Sequence, residues 1–176
     1  GRVAGYNAAR PFATRFRPKT PMSIVFCEPN IASVGAARSD LDDADIVVGE
    51  VRFGPVGRAV IMGRNRGILR IYAEKGSGTI LGAAMVGTHC EHLAHLLAWA
   101  VEQGMTVTEA LRMPYYHPVV EEAIQDALHE LERQLDGGGS HLANLASLDV
   151  ADAPGLWPHP LGRTASKPPM TPPGGI

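Results

Sequence analysis

The sequence predicts an α+β domain: an antiparallel β-sheet with helices packed on one face. Three observations carry this. Strand-like runs come first and helical patterns follow, the order expected when helices gather on one side of an antiparallel sheet. A hairpin stands mid-chain, where Gly67–Ala73 and Thr79–Val86 are joined by Glu74-Lys75-Gly76-Ser77-Gly78, whose glycines can take positive φ. After Gly87 the pattern becomes helical, with Leu93, Leu96, Leu97, Ala100 and Val101 on one face.

The elements follow in order. Gly1 to Arg10 reads as a short helix end, with Val3, Tyr6 and Ala9 or Arg10 at helical spacing. Pro11, Pro18 and Pro21 break regular structure. Ser23–Cys27 and Ile31–Gly35 are short β-type runs around a Glu28-Pro29-Asn30 turn. Ser39, followed three residues later by Asp42, predicts a capped helical turn through Ala44. Asp45–Phe53 is a valine-rich strand, and Gly57–Met62 a loop or helical turn. The second hairpin strand is apolar on both faces and is expected near the sheet centre.

A helix is predicted from about Glu91 to Gln103, stopped by Gly104. Thr106, with Glu109 three residues on, caps a short helix through Leu111, and Pro114 ends it. The last helix is predicted from Pro118 to about Leu135, with Val120, Ala123 or Ile124, Ala127, Leu128, Leu131 and Leu135 as its apolar stripe. Gly137-Gly138-Gly139 marks a boundary, and half of all the prolines lie beyond it. Leu142, Leu145 and Leu148 fit one short amphipathic helix; from Ala153 the pattern reads as an extended or disordered tail.

The chain of 176 residues suits one domain with a tail, divided at 1–20, 21–136 and 137–176. It opens on Gly1 rather than Met, as expected of a fragment. A net charge of −2 without a basic run argues against a nucleic-acid partner. No apolar run is long enough to span a bilayer, and there is no secretory h-region. Cys27 and Cys90 form no C-x-x-C pair and no disulfide framework, so a reducing, cytoplasmic setting is expected. Both are read as small buried side chains rather than nucleophiles.

Chemistry concentrates in Tyr115-Tyr116-His117-Pro118-Val119-Val120-Glu121-Glu122. Proline is best tolerated at the first turn of a helix, so His117 is placed at a helix mouth. An imidazole beside a carboxylate is held in one tautomer and can serve as a general base. Helical spacing favours Glu121 as partner. If His117 lies outside the helix, through a cis peptide to Pro118, that count no longer applies and Glu122 competes.

Several ordered segments resemble the C-terminal dimerisation domain of the pyridine nucleotide–disulfide oxidoreductases. They are Ile24–Gly35, the hairpin strand from Ile80-Leu81-Gly82-Ala83 to Val86-Gly87, Glu91 at a helix opening, and His117-Pro118 with Glu122 five residues on. Gly1–Arg10 resembles the end of the helix leading out of the flavin domain, with residues to 20 as linker. The resemblance covers roughly residues 1 to 135. It implies a homodimer in which His117, oriented by Glu122, accepts a proton at the partner subunit's dithiol site, as in dihydrolipoamide dehydrogenase. It also implies FAD and NAD(P) in the parent enzyme. This chain has neither a G-x-G-x-x-G opening a βαβ unit nor a redox cysteine pair, so no cofactor is expected on it and it is not expected to turn over alone. Val119 and Glu121 stand where the family usually has threonine and serine, and Tyr115 and Tyr116 add bulk before the histidine. A stand-alone dimerisation or scaffold module is the alternative reading.

His89-Cys90-Glu91-His92-Leu93-Ala94-His95 gathers possible metal ligands, with His92 and His95 able to share a helix face. It is not H-E-x-x-H, and these residues are read as solvated or capping groups rather than a metal site. Trp99 is expected in the core or an interface, and Arg64 and Arg66 on a surface loop.

Overall fold

The computed structural model describes residues 1–15 and 17–135. Its elements are α1 (Arg2–Ala8), β1 (Met22–Val25), β2 (Asn30–Gly35), β3 (Ile46–Arg52), α2 (Gly57–Ile61), β4 (Ile68–Glu74), β5 (Ile80–Gly87), α3 (Cys90–Glu102), α4 (Val107–Leu111) and α5 (Glu122–Leu135), with a 3-10 turn at Arg38–Asp40. The strands form one five-stranded sheet in the order β1-β2-β5-β4-β3. Every pairing among them is antiparallel. The doubly apolar β5 lies at the centre, between β2 and β4, as its composition predicts.

Helices α3 and α5 pack side by side on one face, α3 over β2 and β5, α5 over β3 and β4. Buried Ala32, Val34, Leu69, Ile71, Ala83 and Met85 meet Leu93, Leu97, Ala127, Leu128 and Leu131 in a continuous core. The approach of α5 is close. A Cβ built on Gly49 of β3 would stand 2.2 Å from the Ala127 carbonyl oxygen and 2.7 Å from Leu131 Cγ. Glycine there lets the helix reach the sheet. On the other face, Val25, Ile31, Val86 and Ile68 form one cross-strand row. Val25 and Ile31 are exposed there.

Short-range chemistry fastens the helix ends. Thr106 and Glu109 form the expected capping box. Backbone bonds from Ile80 to Met105 and from Val107 to Gly78 then sew the start of α4 to the start of β5. The Thr20 N–H and hydroxyl each donate to Glu102 Oε2 at 2.7 Å, fixing the segment before β1 to the end of α3.

Some expectations fail locally. Ser39 caps nothing; its hydroxyl meets Asp40, while Asp42 Oδ1 accepts from the Ala44 N–H. Asp42 thus makes an Asx turn instead of closing a capping box. The last helix starts at Glu122, not Pro118. Leu96 of α3 is exposed, because burial on this helix is centred on Cys90, Leu93, Ala94 and Leu97. Cys27 is exposed, since edge strand β1 ends at Val25 and the thiol sits in the turn beyond it. The helix expected at Leu142, Leu145 and Leu148 and the tail expected from Ala153 lie outside the described residues. No helix among the described residues is long and apolar enough to cross a membrane.

Candidate functional site

His117 precedes a cis peptide bond to Pro118 and stands outside α5. Of the two carboxylates left open by spacing, Glu122 is its partner: His117 Nδ1 lies 2.7 Å from Glu122 Oε1. The other oxygen, Oε2, accepts from the Val119 N–H at 3.0 Å. One carboxylate thus holds both the imidazole and the backbone three residues before it, as an acid in a first helical turn does when it reaches back. Glu122 also sits where the helix dipole favours negative charge.

Electrostatics agree with this geometry. The bond to His117 holds the Glu122 carboxyl below its usual range; partial burial works against this, and the Val119 N–H adds to the lowering. An ionised carboxylate only accepts, so the 2.7 Å contact requires an Nδ1–H donor on the ring. In the neutral form of the ring the lone pair is then on Nε2, away from Glu122. The His117 side chain is 79% exposed while that of Glu122 is 24% exposed, so the ring is anchored at its root and open at its tip.

Beside this pair lies a feature missed by sequence reasoning. A cavity of about 510 Å³ opens between α3, α4 and α5, lined among others by Trp99, Met113, Tyr115, Tyr116 and Leu128. Trp99 and Tyr116 are 65% and 80% exposed. Trp99 therefore is not a core residue. Tyr115 turns inward, and its hydroxyl donates to the Ala110 carbonyl. The contributors are far apart in sequence, and only the bulk of Tyr115-Tyr116 signalled anything unusual.

The other sequence candidates separate. Cys90 is fully buried, and burial, with Glu91 adding to it, pushes its thiol up to about 12. A thiol so protonated is no nucleophile at neutral pH. Arg64 sits on the surface facing Glu28 at 3.6 Å. His95 Nδ1 bonds the Glu91 carbonyl within its own helix. His89, Glu91 and His92 instead come together, one ligand atom of each within 4.8 Å of the others. Among the described residues all strand pairs are antiparallel and no glycine-rich strand-to-helix turn opens a βαβ unit, so they do not contain the dinucleotide-binding fold.

Comparison with known proteins places the chain in a family. Residues 21–128 match the model of the pyridine nucleotide-disulphide oxidoreductase dimerisation domain. A dihydrolipoyl dehydrogenase of Haloferax volcanii is 33% identical over 127 residues, covering 71% of this chain and 26% of that protein. An NAD(P)H dehydrogenase (quinone) of Mycobacterium tuberculosis is 27% identical over 164 residues, 92% of this chain and 32% of its own length. A match of that extent must include residues beyond Gly137, so the tail has a counterpart there. The crystal structure of LpdA from Mycobacterium tuberculosis superposes with a TM-score of 0.64 at 25% identity, covering 74% of this chain and 29% of that one. The chain thus spans about a quarter to a third of the length of these relatives. On the match over residues 21–128, it belongs to the pyridine nucleotide-disulphide oxidoreductases and carries their dimerisation domain.

Proposed function

We propose that this domain serves a flavin-dependent, NAD(P)-linked disulfide oxidoreductase of the dihydrolipoamide dehydrogenase kind, as a homodimer in a reducing, cytoplasmic setting. In this reading His117 is the proton acceptor presented to the dithiol site of the partner subunit, and Glu122 is its positioning residue. The observation that carries it is the 2.7 Å bond from His117 Nδ1 to Glu122, which leaves the other ring nitrogen outward and unpaired with its own carboxylate.

The chemistry follows from the atoms present. A thiol reacts as its thiolate, so a base must take the proton first. Nε2 of His117 receives it and the ring becomes an imidazolium. The Glu122 carboxylate then balances that charge through Nδ1–H without moving. FAD and NAD(P) belong to the domains that this chain does not contain, where they would supply the electron transfer. The exposed aromatic surface at Trp99 and Tyr116 supports burial of this region against another subunit.

The test is His117→Ala in the protein carrying its flavin and nicotinamide domains. Dithiol turnover is expected to fall by roughly 10²- to 10⁴-fold, the usual worth of a general base, with dimer mass unchanged by light scattering. Unchanged turnover with an intact dimer would make the domain a non-catalytic association module.

A further inference from the structure

We propose that His89, Glu91 and His92 form a binding site for a divalent first-row transition ion of the zinc or copper type. Helical spacing lets His92 and His95 share a face, but the fold brings a different set together. His89 is the residue before α3 and its backbone is left-handed, with φ 55. Among the described residues it is the one non-glycine with positive φ. That conformation turns its ring back over the first turn of the helix, where the rings of His89 and His92 stand 5.5 Å apart at 37°. They are tilted rather than stacked, so their nitrogens can converge.

The distances leave room for an ion between the three side chains. His89 Nδ1 and His92 Nε2 lie 3.6 and 3.7 Å from Glu91 Oε1. Both exceed hydrogen-bond length. A tetrahedral zinc bound at about 2.0–2.1 Å sets neighbouring ligands roughly 3.4 Å apart. The two separations from Glu91 are near that value, and one ligand atom of each of the three residues lies within 4.8 Å of the others.

The surroundings supply the remaining requirements. The amide of Asn30, on β2, donates to Glu91 Oε2 and so orients the carboxylate from behind, as outer-sphere partners of metal ligands do. The histidine side chains are 41% and 64% exposed and border a cavity of about 210 Å³, leaving space for water at open coordination positions. Arg58 and Glu121 line the same cavity. Arg58 and the positive end of α3 oppose a cation there, while Glu91 and Glu121 favour one. Two imidazole nitrogens and one carboxylate oxygen select zinc, copper or nickel over calcium or magnesium, which take oxygen shells.

The experiment is calorimetric titration of the untagged 176-residue chain with Zn²⁺ at neutral pH, repeated with Co²⁺ for its ligand-field absorption. One equivalent of zinc is expected to bind. Either His89→Gly or His92→Ala should weaken binding by at least about 10-fold, whereas His95→Ala should leave it unchanged. Glycine suits the left-handed position, so His89→Gly removes the ligand while keeping the turn, and circular dichroism verifies the fold. Failure of the parent chain to bind zinc would overturn the proposal. So would unchanged binding in either His89→Gly or His92→Ala, or an equal loss in His95→Ala.

Discussion

The starts of α3 and α5 present the same ingredients in two arrangements. Each has a histidine just outside a helix and a glutamate in its opening turn. At α5, Glu122 divides its oxygens between one imidazole and one backbone N–H, and both bonds are short. At α3, one oxygen of Glu91 faces two imidazoles beyond hydrogen-bond length, while the other is taken by Asn30. A carboxylate committed to a single ring makes an oriented base. A carboxylate shared by two rings, with a gap between them, makes a candidate coordination site. The ratio of imidazoles to carboxylates separates the two chemistries, and the backbone outside the helix sets that ratio.

The largest effect that would break this contrast is the loss of turnover in His117→Ala described above, which has no parallel expected in His92→Ala. Next comes the framework. Gly49→Ala should destabilise the domain by about 1–3 kcal/mol, because the new methyl meets a backbone carbonyl that cannot rotate away. Thermal melting reads this directly. A displaced α5 should also disturb the His117 pair while sparing the α3 cluster.

A smaller effect is expected from Glu122→Gln, which keeps an acceptor but removes the charge. A charge-assisted hydrogen bond is worth about 1.5–3 kcal/mol, roughly a 10- to 150-fold fall in turnover. The same residue shapes acid stability. The Glu122 carboxyl is held below its ordinary value of 4.5 in the folded state. Its contribution is therefore complete above that value and is lost as pH falls through the lowered folded one. Urea unfolding across that acid range should show a shallower decline in Glu122→Gln than in the parent chain.

The smallest expected effect concerns backbone alone. His89→Gly should raise stability by up to about 1 kcal/mol, since glycine takes the left-handed conformation without the penalty borne by other residues. Alkylation adds a further check on burial. Native protein at neutral pH should be labelled at Cys27 and spared at Cys90, whose thiol is buried and strongly protonated.

What the sequence revealed depended on how local the cause was. The capping box at Thr106 and Glu109 needs only contacts three residues apart, and it was legible. The central place of β5 followed from its two apolar faces. The His117–Glu122 pair was half legible. Spacing alone left two glutamates open and the family resemblance pointed to Glu122; the physical reason, a helix that begins at Glu122 instead of Pro118, is visible only in the fold. The α3 cluster was legible only as a list of possible ligands: periodicity lets His92 share a face with His95, and only a left-handed residue brings His89 over Glu91. Ser39 misled because Asp42 offered the backbone a nearer turn. The exposure of Trp99 and Leu96 depends on which face of α3 the sheet takes, which long-range packing decides and local spacing does not.

The most direct measurement is the protonation pattern of the His117 ring, read by nitrogen NMR of this chain at a pH where the imidazole is neutral. An Nδ1–H donated to Glu122, with Nε2 bare, is the predicted tautomer in the parent chain, and Glu122→Ala should abolish the preference. A proton found on Nε2 in the parent chain would leave no outward lone pair and would contradict the account.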